Sequence, residues 1–167
     1  MLMLNYFFKI TAGLSKALSY VGGLVLFALM LLTAIDVTGR YLFNTPFIGT
    51  YEITKFMLAS LIFCSLAYTQ SRKGHVAVDI FVSGFSPKHR IMIDLINHSI
   101  SSIVLGAIAW KSVERGFEVM ATKECSGTLG IPVYPFLFVV AFGSAALCME
   151  FLKDAIMELR GNNQHEA

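Results

Sequence analysis

Asp94, His98, Ser101 and Ser102 are the residues of this sequence best spaced to act together inside an otherwise apolar run. Spacings of four and seven return to the same side of a helix, so the four share a face, with Asn97 at its edge. An acid and an imidazole on one face of a membrane helix are the ingredients of a proton relay or ion path, because ionisable groups are costly to leave in lipid. Two observations favour a plainer role. Asp94 lies only about two turns beyond Pro87, near the polar border of the run, and Ser, Asn and His commonly bond one helix to the next. A relay also needs ionisable groups on several facing helices, and the other runs hold few, so the face is read first as a contact surface.

A second constellation is "DVTGRYLFNTPFIGTYE", residues 36 to 52, which places Asp36, Arg40, Asn44, Pro46, Gly49 and Glu52 between two apolar runs. Asn44, Pro46 and Gly49 supply turn chemistry. Arg40, at the end of one helix, is expected to reach Glu52 at the start of the next, with Asp36 helping to neutralise it. Such a clamp would fix how two helices meet; a solvated loop with incidental charges is the competing reading, since exposed ion pairs contribute only about 0 to 1 kcal/mol. A third stretch, "HVAVDIFVSGF" at 75 to 85, is apolar but too short to span. Its alternation suits a strand, yet a lone strand in lipid leaves its backbone unpaired, so a short interfacial helix with His75 and Asp79 on the wet side is expected.

The elements that would hold these residues follow from composition. The chain has 167 residues, 56% of them hydrophobic and only 14% charged, with a mean hydropathy of +0.67. That is the composition of a membrane protein. A net charge of +2 provides no broad basic field for nucleic acid. No metal-ligand spacing, phosphate loop or catalytic carboxylate pair stands out, so neither enzyme activity nor a cofactor is expected. Cys64, Cys125 and Cys148 lie far apart, two of them in apolar runs, and read as small hydrophobes.

A spanning helix needs about 20 apolar residues to cross about 30 Å of hydrocarbon. Four stretches meet that requirement, at about 14–35, 52–70, 89–112 and 131–153. The first is too long for a signal-peptide core and lacks a small-x-small cleavage site before Asp36, so it is read as a retained anchor. Residues 5 to 14 ahead of it look like an interfacial lead-in. Ser86 and Pro87 are start signals for the third helix, and Gly130 and Pro132 for the fourth. Beyond Trp110, Lys111, Glu114, Arg115 and Glu118 continue at helical spacing, which predicts a solvated extension of the third helix. Rows of small residues, Ser15, Ser19 and Gly23 on the first helix and Ala141 and Ala145 on the fourth, allow close packing in lipid.

Orientation follows from basic residues. With the N-terminus inside, Lys9, Lys16, Arg72, Lys73, Lys88, Arg90, Lys153 and Arg160 face the cytoplasm, while Arg40, Lys55, Lys111, Arg115 and Lys123 face outward. Eight against five predicts both termini inside. The expected fold is therefore an all-α integral membrane protein, one domain over 1–167, with four transmembrane helices in a bundle, short interfacial helices and both termini cytoplasmic.

Three blocks occur in order, "DVTGRYLFNTPFIGTYEIT", "AYTQSRKGHVAVDIF" and "GTLGIPVYPF". Together they resemble the DctQ-type small membrane subunit of the tripartite ATP-independent periplasmic (TRAP) transporters, over about Asp36 to Leu152. The family's Arg-Tyr-x-Phe-Asn-x-Pro turn followed by an acid corresponds to Arg40, Tyr41, Phe43, Asn44, Pro46 and Glu52. Its His-Val-x-Val-Asp block corresponds to His75, Val76, Val78 and Asp79. The resemblance implies an accessory subunit in the bacterial inner membrane, surrounded by lipid. Its partners would be a large, sodium-coupled DctM-type elevator subunit, which it scaffolds, and a periplasmic substrate-binding protein that it helps to dock. The cargo would be an organic acid, carboxylate or sulfonate, chosen by the other components. Two other readings remain: a self-contained proton- or ion-coupled transporter using the Asp94/His98 face, and a haem-bearing redox subunit. The second is disfavoured because only His98 lies within a span, whereas a haem held between helices takes two axial ligands.

Overall fold

The structure is a computed structural model that describes residues 2–45, 47–72 and 87–165. Four helices make up almost all of it: α1 (Leu2–Phe43), α2 (Thr50–Ser71), α3 (Pro87–Thr122) and α4 (Tyr134–His165). Each is long and apolar enough to cross a membrane, and no strand is present among the described residues. Residues 75 to 85, with His75 and Asp79, lie outside the described residues, as do Pro46 and Ser86.

Helix α1 is one uninterrupted rod of 42 residues, about 63 Å at 1.5 Å per residue. The lead-in expected at 5 to 14 is therefore not a separate element but the first turns of the spanning helix. No proline falls between Leu2 and Phe43, and nothing else there stops the helix. It ends where Asn44 turns left-handed, at φ 50°, with the Thr45 amide reaching back to the Gly39 carbonyl at 3.4 Å. Helix α3 begins at Pro87, which gives up no hydrogen bond in a first turn. It ends on left-handed Lys123, and the Glu124 amide closes back on the Val119 carbonyl at 3.2 Å. Helix α4 starts later than Gly130 and Pro132 suggested. Pro132 lies in an isolated antiparallel bridge with Cys125, and the helix begins at Tyr134 with Pro135 in its first turn.

The helices pack as an open row rather than a closed barrel of four. α1 lies on α2, α2 on α4, and α4 on α3, while α1 touches α4 more lightly. Helix α4 is the hub: a third of its most apolar stretch is buried within the chain, against 6% for that of α3. Leu18, Cys64, Ala67, Ala146 and Leu147 form the small apolar core where α1, α2 and α4 meet. Gly143 sets the α2–α4 distance, because a Cβ there would stand 2.7 Å from the Phe63 carbonyl oxygen. The buried side of α1 runs Ser15, Leu18, Gly22 rather than Ser15, Ser19, Gly23. Gly22 is buried against Ser65, whereas Gly23 faces open space, so close packing uses its neighbour instead. Large apolar side chains stay exposed along the row, among them Leu24, Phe27 and Met30. That is how a lipid-facing surface looks.

Candidate functional site

Polar side chains gather at two depths. At the end of the row where α1 turns into α2, Asp36 is buried and accepts two bonds through Oδ1, from the Phe47 amide at 3.1 Å and from the Thr50 hydroxyl at 3.2 Å. Its other oxygen takes Arg40 Nη2 at 2.8 Å. A carboxylate on α1 thus ties the turn and the first residue of α2 to α1, while the residue ahead of α2, Gly49, has no side chain to cap it and the Glu52 amide bonds the Gly49 carbonyl at 3.0 Å instead. Gly49 is required on two counts. Its φ is 86°, and a Cβ on it would strike the side chain of Leu129.

Glu52 faces a different partner. Its carboxylate accepts from the Ser126 hydroxyl at 2.7 Å, the Thr128 amide at 2.9 Å and the Leu129 amide at 3.2 Å. It anchors the connection between α3 and α4 onto the first turn of α2. Ser126 and Gly130 close that connection on itself, through the Ser126 amide to the Ile131 carbonyl at 2.8 Å and the Gly130 amide to Ser126 at 3.2 Å. The expected Arg40–Glu52 pair is therefore replaced by two separate ties. Arg40 bonds one turn back along its own helix, where the i, i+4 geometry is already in place, and three donors of the α3–α4 connection occupy Glu52.

At the opposite end of the row a second polar set joins three helices. Glu150 on α4 is fully buried; it accepts from the Ser15 hydroxyl of α1 at 2.6 Å and pairs with Lys153 one turn on. One turn further, buried Asp154 accepts from Gln70 Nε2 of α2 at 2.7 Å. Sequence reasoning passed over Glu150, Asp154 and Gln70 because they sit at the edges of apolar runs, where charge needs no explanation. The i, i+4 spacing of the two acids on one face of α4 was the available signal.

The α3 face meets α4. His98 packs against the Phe151 ring, centroids 5.9 Å apart, and Ser102 touches Cys148 at 3.3 Å. Asp94 and Ser101 are half-buried on the same side. The buried Nδ1 of His98 has no hydrogen-bond partner. On the last turns of α3, Lys111 pairs with Glu114 at 2.7 Å, and Arg115 with Glu118 at 2.9 Å and Glu124 at 3.0 Å. The three cysteines are free, Cys64 buried and Cys125 exposed. No group of three or more His, Cys, Asp or Glu able to hold a metal occurs among the described residues.

Four helices long enough to span a membrane, tied by carboxylates at one end and three of them at the other, frame the comparison with known proteins. The family model described as tripartite ATP-independent periplasmic transporters, DctQ component, matches residues 29–161. The chain belongs to the DctQ family. Neither the comparison with curated proteins nor that with solved structures gives a match. The DctQ match takes in Asp36, Glu52, His98, Glu150 and Asp154, so both polar sets fall within it, with only Ser15 of the second outside. As a DctQ component the chain is part of a TRAP transporter, a multi-pass membrane protein in a transport system.

Proposed function

We propose that this DctQ component is the fixed small subunit that braces a large, ion-coupled membrane subunit and helps to dock a soluble periplasmic binding protein during organic-acid uptake. Both termini face the cytoplasm of the inner membrane, and the α1–α2 turn and the α3–α4 connection face the periplasm. The observation that carries this reading is Glu52, which locks the α3–α4 connection to α2 by three hydrogen bonds. A docking platform must hold its shape, and two turns bound to each other do so better than two loops. Asp36, Glu150 and Asp154 act in the same sense, each joining two elements.

Isolation of the chain from native membranes in mild detergent tests it: a large hydrophobic subunit should co-purify. Solute uptake by liposomes containing this chain alone would overturn the reading. One observation favours a second one, the unpartnered Nδ1 of His98 beside half-buried Asp94. In that reading the chain is itself an ion-coupled transporter, and the same liposome measurement decides between them.

A further inference from the structure

We propose that the outer face of α3 from Lys111 to Glu118 lines an aqueous recess, meeting water at a depth where α1 and α2 meet lipid. That face changes character abruptly. Ile100 and Val104 lie on it, exposed and apolar; Lys111 and Glu118 follow on the same side, with Glu114 and Arg115 between them. The four charged side chains are between 51% and 75% exposed and pair with one another, Lys111 with Glu114 and Arg115 with Glu118. Trp110, exposed directly before the first of them, is the aromatic that suits a place where lipid gives way to water.

Contacts with α4 give the depth of these charges. Trp110 lines a groove with Ala141 and Phe142, and a Cβ on Gly116 would stand 3.1 Å from the Phe138 ring, so the charges are level with about 138 to 142 of α4. On α2, Phe56 stacks on Phe136 and Phe63 lies against Gly143, which puts exposed Leu58 and Ile62 at the same level. On α1, Gly22 lies against Ser65 and Asp36 meets Thr50, which adds exposed Phe27 and Met30. One level of the molecule therefore presents charge on α3 and bare apolar side chains on α1 and α2.

No flat border suits both. A border at Lys111 leaves the hydrocarbon too thin: the rise from Phe142 to Asp154, where Gln70 of α2 bonds, is about 18 Å, against about 30 Å of hydrocarbon. It would also put exposed Met30, Leu31, Ile35 and Val37 into water. A border at Asp36 gives the right thickness, since the rise from Ser15, which bonds Glu150, is about 32 Å. That border sinks the four α3 charges below it, where ionised groups are disfavoured in lipid. Tilting the row does not reconcile the two sides. At the opposite end Gln70 bonds Asp154 and His98 packs on Phe151, so Arg72 of α2 and Asp94 of α3, each within a turn of those contacts, are level. Only α3 is cut short, and only from the side of the α3–α4 connection, which is the pattern of water entering beside one helix. The water comes through a dent that the chain makes in the bilayer or through a crevice beside a partner subunit; the hydrated groups are the same in both.

Spin labels on single cysteines in the full chain, within the assembled transporter in lipid vesicles and with exposed Cys125 replaced by serine, report the medium directly. A water-soluble nickel chelate relaxes a label in water, dissolved oxygen relaxes one in lipid, and neither reaches a label covered by protein. Because a polar chelate is excluded from hydrocarbon, labels at Glu114→Cys and Glu118→Cys should collide with it at least about tenfold more often than labels at Val104→Cys, Leu58→Cys and Met30→Cys. The last three should collide with oxygen instead. Oxygen contact or full protection at both Glu114→Cys and Glu118→Cys would overturn the proposal. So would chelate contact at Val104→Cys, Leu58→Cys or Met30→Cys, and so would joint protection of Leu58→Cys and Met30→Cys from both reagents, which is the pattern of a partner covering α1 and α2. The same labels on the full chain alone in vesicles separate the two sources of water: chelate contact at Glu114→Cys there marks a dent in the bilayer, and contact confined to the transporter marks a crevice, the recess standing in either case.

Discussion

Asp36 and Arg40 form an ion pair, but their tasks differ. Asp36 is buried and ties the start of α2 to α1, whereas the Arg40 side chain is 58% exposed and, among the described residues, bonds only within α1. Loss of Asp36 leaves the Phe47 amide without its acceptor and unties Thr50 from α1, the Thr50 hydroxyl keeping only the Phe47 carbonyl at 3.1 Å; loss of Arg40 removes one exposed contact. Asp36→Ala is therefore expected to lower the yield of assembled complex clearly more than Arg40→Ala, measured by co-purification. Equal effects would show that Arg40 has a contact outside this chain. Glu150 is the more demanding case because it is fully buried. Removing one partner of a buried pair leaves an uncompensated charge, so Glu150→Ala should destabilise the subunit by about 3 to 5 kcal/mol in a denaturation series. Glu150→Gln keeps an acceptor for Ser15 and should retain more stability than Glu150→Ala.

Between helices, the limiting dimension is the α2–α4 seam. Gly143 lies against the backbone of Phe63, and backbone cannot move aside as a flexible side chain can. Gly143→Val should push the two helices apart, cost about 1 to 3 kcal/mol and reduce the folded fraction in a detergent melting measurement. Gly23→Val, at a position with nothing within 4 Å, serves as the tolerated control. Both glycines lie in apolar runs. Only the packing separates one that faces a neighbour from one that faces open space, and the same distinction puts Gly22 rather than Gly23 on the packed side of α1.

Taken whole, the molecule is a row of four rods with carboxylate ties at one end and three of the rods tied at the other, a construction that fits the bracing role proposed above. The α3 face of Asp94, His98 and Ser102 lies along the α4 seam, which suits a contact surface better than a path through the protein. Asp94→Asn should accordingly leave the sodium and pH dependence of uptake by the intact transporter unchanged. A shifted dependence would move the ion path onto this chain.

Helix number and the continuation of α3 to Thr122 were legible in the residues, because hydrocarbon thickness and backbone hydrogen bonding leave an apolar run of about 20 residues few other options, and paired charges at helical spacing carry a helix onward. That Asp36, Arg40 and Glu52 flank the turn between α1 and α2 was legible too, since turn residues and charges interrupt an apolar run. Their partners were not. Glu52 binds residues 74 to 77 positions away, and Glu150 binds Ser15 at a separation of 135. Separations of that size depend on which helix lies beside which, and apolar runs of similar length do not encode their own neighbours. Packing about Gly143, Ala67 and Leu147 selects the order α1, α2, α4, α3, and with that order it settles which carboxylate meets which donor.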